Sequence, residues 1–174
     1  PTTFTVLRVK RDIFKRSAVG AMVTDRSVAV KGGGANRAYG LDAAFALSPN
    51  TQLSTYAARS DTPGRTGDAT SYQGQFDYLG DRYGAQVEHL FVGPDFNPEV
   101  GFLRRSDIRK SSATLRFSPR PRSMPSVRKF TWQARDDYFE NSRGGVESRE
   151  HNGRFVAEFS SSDQLMIEAS GRFE

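Results

Sequence analysis

Cysteine is absent from this chain and histidine nearly so. Without Cys there can be no disulfide framework, thiolate nucleophile, zinc finger or iron–sulfur ligation. The two histidines, His89 and His151, leave almost nothing for a metal site, and neither metal nor cofactor is expected. Leucine (9) and methionine (3) are scarce beside 13 Phe, 6 Tyr and 1 Trp, a balance that argues against a helical bundle and for strands. No run approaches 18 apolar residues, which excludes a transmembrane helix. Leu, Ile, Val and Phe together make only about 21% of the chain, close to the level at which a charged chain is disordered, so order has to come from arrangement.

Lysine is the other scarcity, with 5 Lys against 20 Arg. The net charge is +5, but 20 carboxylates are spread through the same segments. A nucleic-acid binder would gather its cations on one face with few acids nearby, so no nucleic-acid partner is expected. The densest basic stretch, residues 116–128, reads as a solvated turn between strands.

What is present is alternation with a period of two, which places successive side chains on opposite faces of a sheet. Tyr39, Leu41, Ala43, Phe45 and Leu47 make one apolar face, and Ala38, Gly40, Asp42, Ala44 and Ala46 a small, polar one. Tyr72, Gly74, Phe76 and Tyr78 oppose Ser71, Gln73, Gln75 and Asp77. After Gly80-Asp81 the pattern resumes, with Tyr83, Ala85, Val87, His89 and Phe91 against Arg82, Gly84, Gln86 and Glu88, which predicts a hairpin. A second hairpin is predicted where Phe155, Ala157, Leu165, Ile167 and Phe173 alternate with Arg154, Glu158, Gln164, Glu168 and Arg172. Less regular strands are expected at residues 3–14, 18–30, 51–60, 99–105, 108–118 and 127–139. Gly, Pro, Ser and Asn clusters separate these segments, and none has the look of a domain linker. The expectation is an all-β fold over residues 1–174: one antiparallel up-and-down meander of about eleven long strands.

Alternation alone leaves open whether the apolar face meets a protein core or lipid. Segments of about 9 to 13 residues suit strands that cross a bilayer at a tilt, and aromatics near strand ends suit a membrane barrel. In that case the polar face lines a lumen, with Gln73, Gln75, Asp77, Gln86, Glu88, Arg154, Glu158 and Glu168 as its lumen- or ligand-facing groups. The alternative is a soluble β-domain of a secreted or periplasmic carbohydrate-active protein, with Trp132 and Phe130 as an exposed platform for sugar rings. Aromatics converging on one exposed face would be its sign.

Several segments resemble an uncharacterised bacterial family of outer-membrane β-barrels that follow an N-terminal family-nine carbohydrate-binding module. They are Thr5-Val6-Leu7-Arg8-Val9-Lys10-Arg11-Asp12, Asn36-Arg37-Ala38-Tyr39-Gly40-Leu41-Asp42-Ala43 and residues 75–84. The most specific is Phe96-Asn97-Pro98-Glu99-Val100-Gly101-Phe102 within residues 88–105. Phe117-Ser118-Pro119-Arg120-Pro121 and Arg128-Lys129-Phe130-Thr131-Trp132 extend the resemblance over nearly the whole chain. It implies a Gram-negative cell-envelope protein in the outer membrane, with lipid as a partner. A polysaccharide or oligosaccharide partner and the N-terminal module of the same protein follow from it too. The start, Pro1-Thr2-Thr3-Phe4-Thr5, is neither a signal peptide nor a natural start, so a fragment of a larger barrel is expected.

No catalytic residue can be named. No Gly-x-Ser-x-Gly elbow, phosphate loop, His-Glu-x-x-His helix or EF-hand loop is present. The glycine triplet 32–34 reads as a flexible loop. His89 falls on the apolar face and is expected to be structural, with His151 a weaker candidate still. Asp136 and Asp137 point to opposite faces and cannot share one sugar. Asp77 and Glu88 share the polar face, where a common proton or bound cation is conceivable, although pairing of each with an arginine such as Arg82 is the plainer expectation.

Overall fold

The structure is a computed structural model that describes residues 1–31 and 33–174. It holds β1 (Phe4–Ile13), β2 (Ser17–Arg26), β3 (Asn36–Ser48), β4 (Thr51–Asp61), β5 (Thr70–Leu79), β6 (Tyr83–Val92), β7 (Ile108–Phe117), β8 (Val127–Glu140), β9 (Val146–Phe159) and β10 (Gln164–Phe173). They form one antiparallel sheet in chain order, with no helix among the described residues.

Ten strands stand where about eleven were expected, because residues 99–105 form part of a loop. Pro98 has no N–H to give a ladder, and Gly101 turns the chain at a φ of +138°. The backbone N–H groups of Asn97 and Glu99 donate to the side chains of Ser60 and Asn36 instead of to a neighbouring strand. The strand expected over residues 18–30 stops at Arg26. Of the glycine triplet, Gly32 lies outside the described residues.

The sheet is not closed into a barrel. β1 pairs with β2 and β10 with β9, and neither edge strand has a second neighbour among the described residues. Both edges therefore present unpaired backbone groups, a template for further strands.

Cross-strand register carries the alternation across the whole sheet, because directly opposed residues share a face. One continuous line runs Val9, Ala21, Leu41, Ala57, Tyr72, Phe91; another runs Tyr83, Phe117, Trp132, Phe155, Ile167. Nothing in the described chain covers this apolar face. Leu7, Val9, Leu41, Leu115 and Ile167 are each more than half exposed, and a large side chain left in water forgoes roughly 1–2 kcal/mol. The small buried cluster lies on the opposite face, where Val92, Phe96 and Ile108 pack with Ala58, Leu90, Leu103 and Phe139.

Two further regularities orient the sheet. The turns after β1, β3, β5 and β9 span two to four residues, whereas the connections after β2, β4 and β6 span eight to fifteen. The nine-residue turn after β7 and the five-residue one after β8 depart from that contrast. Strand centres also climb in one direction by about seven residues between β1 and β10, a slant of roughly 30° at the usual rise and strand spacing.

The aromatic residues follow this slant. On the apolar face Tyr39, Tyr72, Phe91, Tyr138 and Phe173 mark the long-loop side, and Tyr78, Tyr83, Phe117, Trp132, Phe130 and Phe155 the short-turn side. Between the two lines lie mainly small and aliphatic residues such as Ala85, Val87, Leu115 and Ala134. From Tyr83 to Phe91 is eight residues along the strand, about 27 Å.

Candidate functional site

All eight residues singled out from the sequence lie on the polar face, and five of them meet. Glu88 accepts hydrogen bonds from Gln73 Nε2 and Lys110 Nζ, each at 2.6 Å, and from Ser112 Oγ at 3.3 Å. Asp77 accepts from Gln75 Nε2 and Gln86 Nε2, each at 2.9 Å. The register explains the geometry: Asp77 is directly opposite Gln86, and Gln75 opposite Glu88. Lys110 and Ser112 are additions that sequence reading did not make; their spacing of two within β7 was the available signal. At the short-turn end Gln52, Gln75, Asp77, Gln86 and Arg16 line an open cleft of about 450 Å³.

The other three residues stand apart, beyond β8. Arg154 Nε lies 3.2 Å from Glu168 Oε1, too poorly aligned for a hydrogen bond, and Arg154 Nη2 is 3.5 Å from the Met166 sulfur. Glu158 faces Gln164 and Lys129 in register and makes no ion pair among the described residues. The strand between the two groups carries its own pair, Arg135 on a nearly buried Asp137 at 2.5 Å. The polar face is thus a mosaic of matched charges. Arg8 reaches Asp42 at 2.9 Å across β2, where Gly20 leaves room, since a Cβ there would stand 2.7 Å from the Asp42 carboxylate.

Arg82 does not pair with Asp77 or Glu88. Its guanidinium lies 5.6 Å from the ring centre of Tyr83 and 5.4 Å from that of Phe117, on the rim of the apolar face. Different donors bind the two carboxylates, and no hydrogen bond joins one to the other among the described residues. No cluster of three potential metal ligands occurs among the described residues.

The long connection between β6 and β7, residues 93–107, is the feature that alternation could not reveal. It lies across the polar face toward the long-loop end, with Phe96 in the buried cluster on β6 and β7. Asn36, wholly buried at the start of β3, holds the loop's other side. Its Nδ2 donates to the Asn97 carbonyl at 2.9 Å and to Thr62 Oγ1 at 2.7 Å, and its Oδ1 accepts from the Glu99 N–H at 3.0 Å. Ser60 Oγ accepts from the Asn97 N–H at 2.8 Å. Glu99, almost buried, accepts from the Val30 N–H at 2.8 Å and lies 3.6 Å from Arg26. The most distinctive block of the sequence is therefore a strap fastened from β2 to β7.

Toward its long-loop end the apolar face carries ion pairs: Arg37 with Asp25, Arg109 with Glu140, and a group around Asp136. His151 Nδ1 lies 2.6 Å and Arg149 Nη2 3.2 Å from Asp136 Oδ2, beside Tyr138 on the long-loop side. Asp136 and Asp137 do face opposite ways. His89 lies on the apolar face, its Nδ1 2.9 Å from Ser111 Oγ. At the other side of this face Trp132 has Phe117 and Phe155 as ring neighbours at 5.8 and 5.2 Å, with Phe130 at 5.5 Å.

Comparison with family models, curated proteins and solved structures gave no match. The chain is defined by its fold, a ten-stranded antiparallel meander with one polar and one uncovered apolar face.

Proposed function

We propose that this chain is part of the wall of an outer-membrane β-barrel, with its apolar face toward lipid and its polar face lining a passage for polar solutes or glycans. The observation that carries the reading is the uncovered apolar face bounded by two slanted aromatic lines. Outer-membrane barrels have such aromatic girdles, together with short turns at one end and long loops at the other. Lipid supplies the apolar environment that the chain does not supply itself. In a closed barrel the polar mosaic would be the lumen, and the 93–107 strap would narrow it near the long-loop mouth.

The test is outer-membrane fractionation of the protein, with gel mobility compared before and after boiling. Retention through carbonate or urea washing and faster migration unboiled are expected. Recovery as a soluble protein with no mobility shift would overturn the proposal. Solute flux through reconstituted vesicles then measures the passage.

A second reading has one observation in its favour. The Phe117, Trp132, Phe130 and Phe155 rings converge on an exposed face, as a glycan platform in a soluble carbohydrate-active domain would require. A sugar also needs hydrogen-bonding side chains around such a platform, and register places Ala134, Leu115 and Gly153 beside it. Glycan binding lost on Trp132→Ala in a washed-off, soluble protein would favour this reading.

A further inference from the structure

The short-turn end of the apolar face carries a group of cations that the passage does not use. The turn of residues 118–126, Ser-Pro-Arg-Pro-Arg-Ser-Met-Pro-Ser, is far longer than the other turns at that end, yet it is stitched to its surroundings. The Ser118 N–H donates to the Arg82 carbonyl at 2.7 Å, the Phe130 N–H to the Pro119 carbonyl at 3.0 Å, and the Ser160 N–H to the Ser126 carbonyl at 2.9 Å. Arg120 pairs with Asp81 in the neighbouring turn. One continuous rim therefore runs from β5 to β10 directly above Tyr83, Phe117, Trp132 and Phe155.

Three guanidiniums on this rim, Arg82, Arg122 and Arg128, have no ion-pair partner among the described residues. Arg82 lies over the Tyr83 and Phe117 rings, and Arg128 sits at the bulge that opens β8, two residues before Phe130. At the opposite end of this face Arg37 pairs with Asp25 at 3.0 Å, Arg109 with Glu140 at 2.5 Å and Arg149 with Asp136, while Arg59, opposite Tyr39, makes no ion pair among the described residues. Unpaired cations beside an aromatic line match a layer in which phosphate lies just outside hydrocarbon.

Building on the membrane reading, we propose that this rim binds the phosphate of anionic phospholipid headgroups, with Arg82, Arg122 and Arg128 as its ligands. The planar guanidinium suits phosphate, and that of Arg82 lies against the Tyr83 and Phe117 rings at the edge of the apolar face. The turn's own hydrogen bonds hold the rim in shape, so little ordering is left for the lipid to impose.

Trp132 is the only tryptophan in the chain and lies in the aromatic line beneath the rim, so it reports on the lipid beside it. The experiment reconstitutes the full chain in phosphatidylcholine–phosphatidylglycerol vesicles and brominates one lipid or the other at equal mole fraction. The expected result is quenching about twofold or more stronger from brominated phosphatidylglycerol, reduced by salt. In the triple variant Arg82→Gln, Arg122→Gln, Arg128→Gln the ratio should fall to about one, with quenching by brominated phosphatidylcholine unchanged. The corresponding triple lysine variant should keep the preference, and circular dichroism of each variant should match that of the parent. Equal quenching by both lipids in the parent chain would overturn the headgroup site while leaving the membrane reading intact. A preference that survives the glutamine variant would overturn these three residues as its ligands. No quenching by either lipid would overturn the membrane reading itself.

Discussion

Asn36 and Asn97, 61 residues apart, are joined inside the polar face by a hydrogen bond from Asn36 Nδ2 to the Asn97 carbonyl oxygen at 2.9 Å. A wholly buried amide spends both ends of its side chain on one loop, with its oxygen taking the Glu99 N–H. Such a side chain fixes where the strap lies as well as adding stability. Buried polar groups of this kind are costly to leave half-satisfied.

Asn36→Ala should therefore release the strap. The change leaves the Glu99 N–H without its partner and the Asn97 carbonyl with only the longer bond from Thr62 Oγ1 at 3.4 Å, at a cost of about 1–3 kcal/mol. Denaturant unfolding measures the loss, and faster tryptic cleavage after Arg104 and Arg105 reports the release. Unchanged cleavage would mean that Phe96 and its neighbours hold the strap without the asparagine. If the strap narrows a passage, the same variant should also raise solute flux through reconstituted vesicles.

Neighbouring residues on β6 test which face meets lipid. Val87→Arg places a charge in the middle of the apolar band and should cost about 2–4 kcal/mol in a bilayer. Gln86→Arg, one residue earlier and on the polar face, should cost less than about 1 kcal/mol. Unfolding from vesicles compares the two, and equal costs would contradict a lipid-facing assignment.

Glu88 and Lys110 are each largely shielded, with side-chain exposures of 22% and 20%, and approach to 2.6 Å. A double-mutant cycle with Glu88→Gln and Lys110→Met should give a coupling of about 0.5–1.5 kcal/mol that shrinks with salt. The Gln73 and Ser112 bonds to the same carboxylate make Glu88 the costlier single change.

Asp107 supplies a pH-dependent loop contact. Its carboxyl is held below its ordinary value of 3.8 by hydrogen bonds from Ser142, whose N–H lies 3.0 Å from Oδ1. A depressed carboxyl stabilises the folded loop above its unfolded-state value, and that contribution fades as pH falls through the folded-state value. Protection of the Ser142 amide from hydrogen exchange should therefore persist at neutral and mildly acidic pH and fall only below the ordinary aspartate range. Asp107→Asn should remove this titration.

The faces were legible in the sequence because a strand's side chains alternate strictly. Gln75 and Glu88, or Tyr83 and Phe91, could be assigned to their faces from spacing alone, and the structure keeps each there. Strand partners inside each hairpin were also legible, since a short turn leaves little freedom of register. The 99–105 segment misled for a local reason: its apolar residues, Val100, Phe102 and Leu103, imitate a strand, while Pro98 and Gly101 prevent a ladder. Lys110 as the partner of Glu88 was out of reach, because a fifteen-residue connection hides the register between β6 and β7.

By itself, the sequence determined a two-faced antiparallel sheet with long strands and, without cysteine, no thiol chemistry, because composition and a period of two act residue by residue. Tertiary structure decided what lies across the faces. It folded the Phe96-Asn97-Pro98-Glu99 block onto the polar face, set Glu88 against Lys110, aligned Trp132 with Phe117 and Phe155, and left β1 and β10 as open edges. Those relationships depend on register accumulated over many strands and on side chains far apart in sequence, which no local pattern encodes.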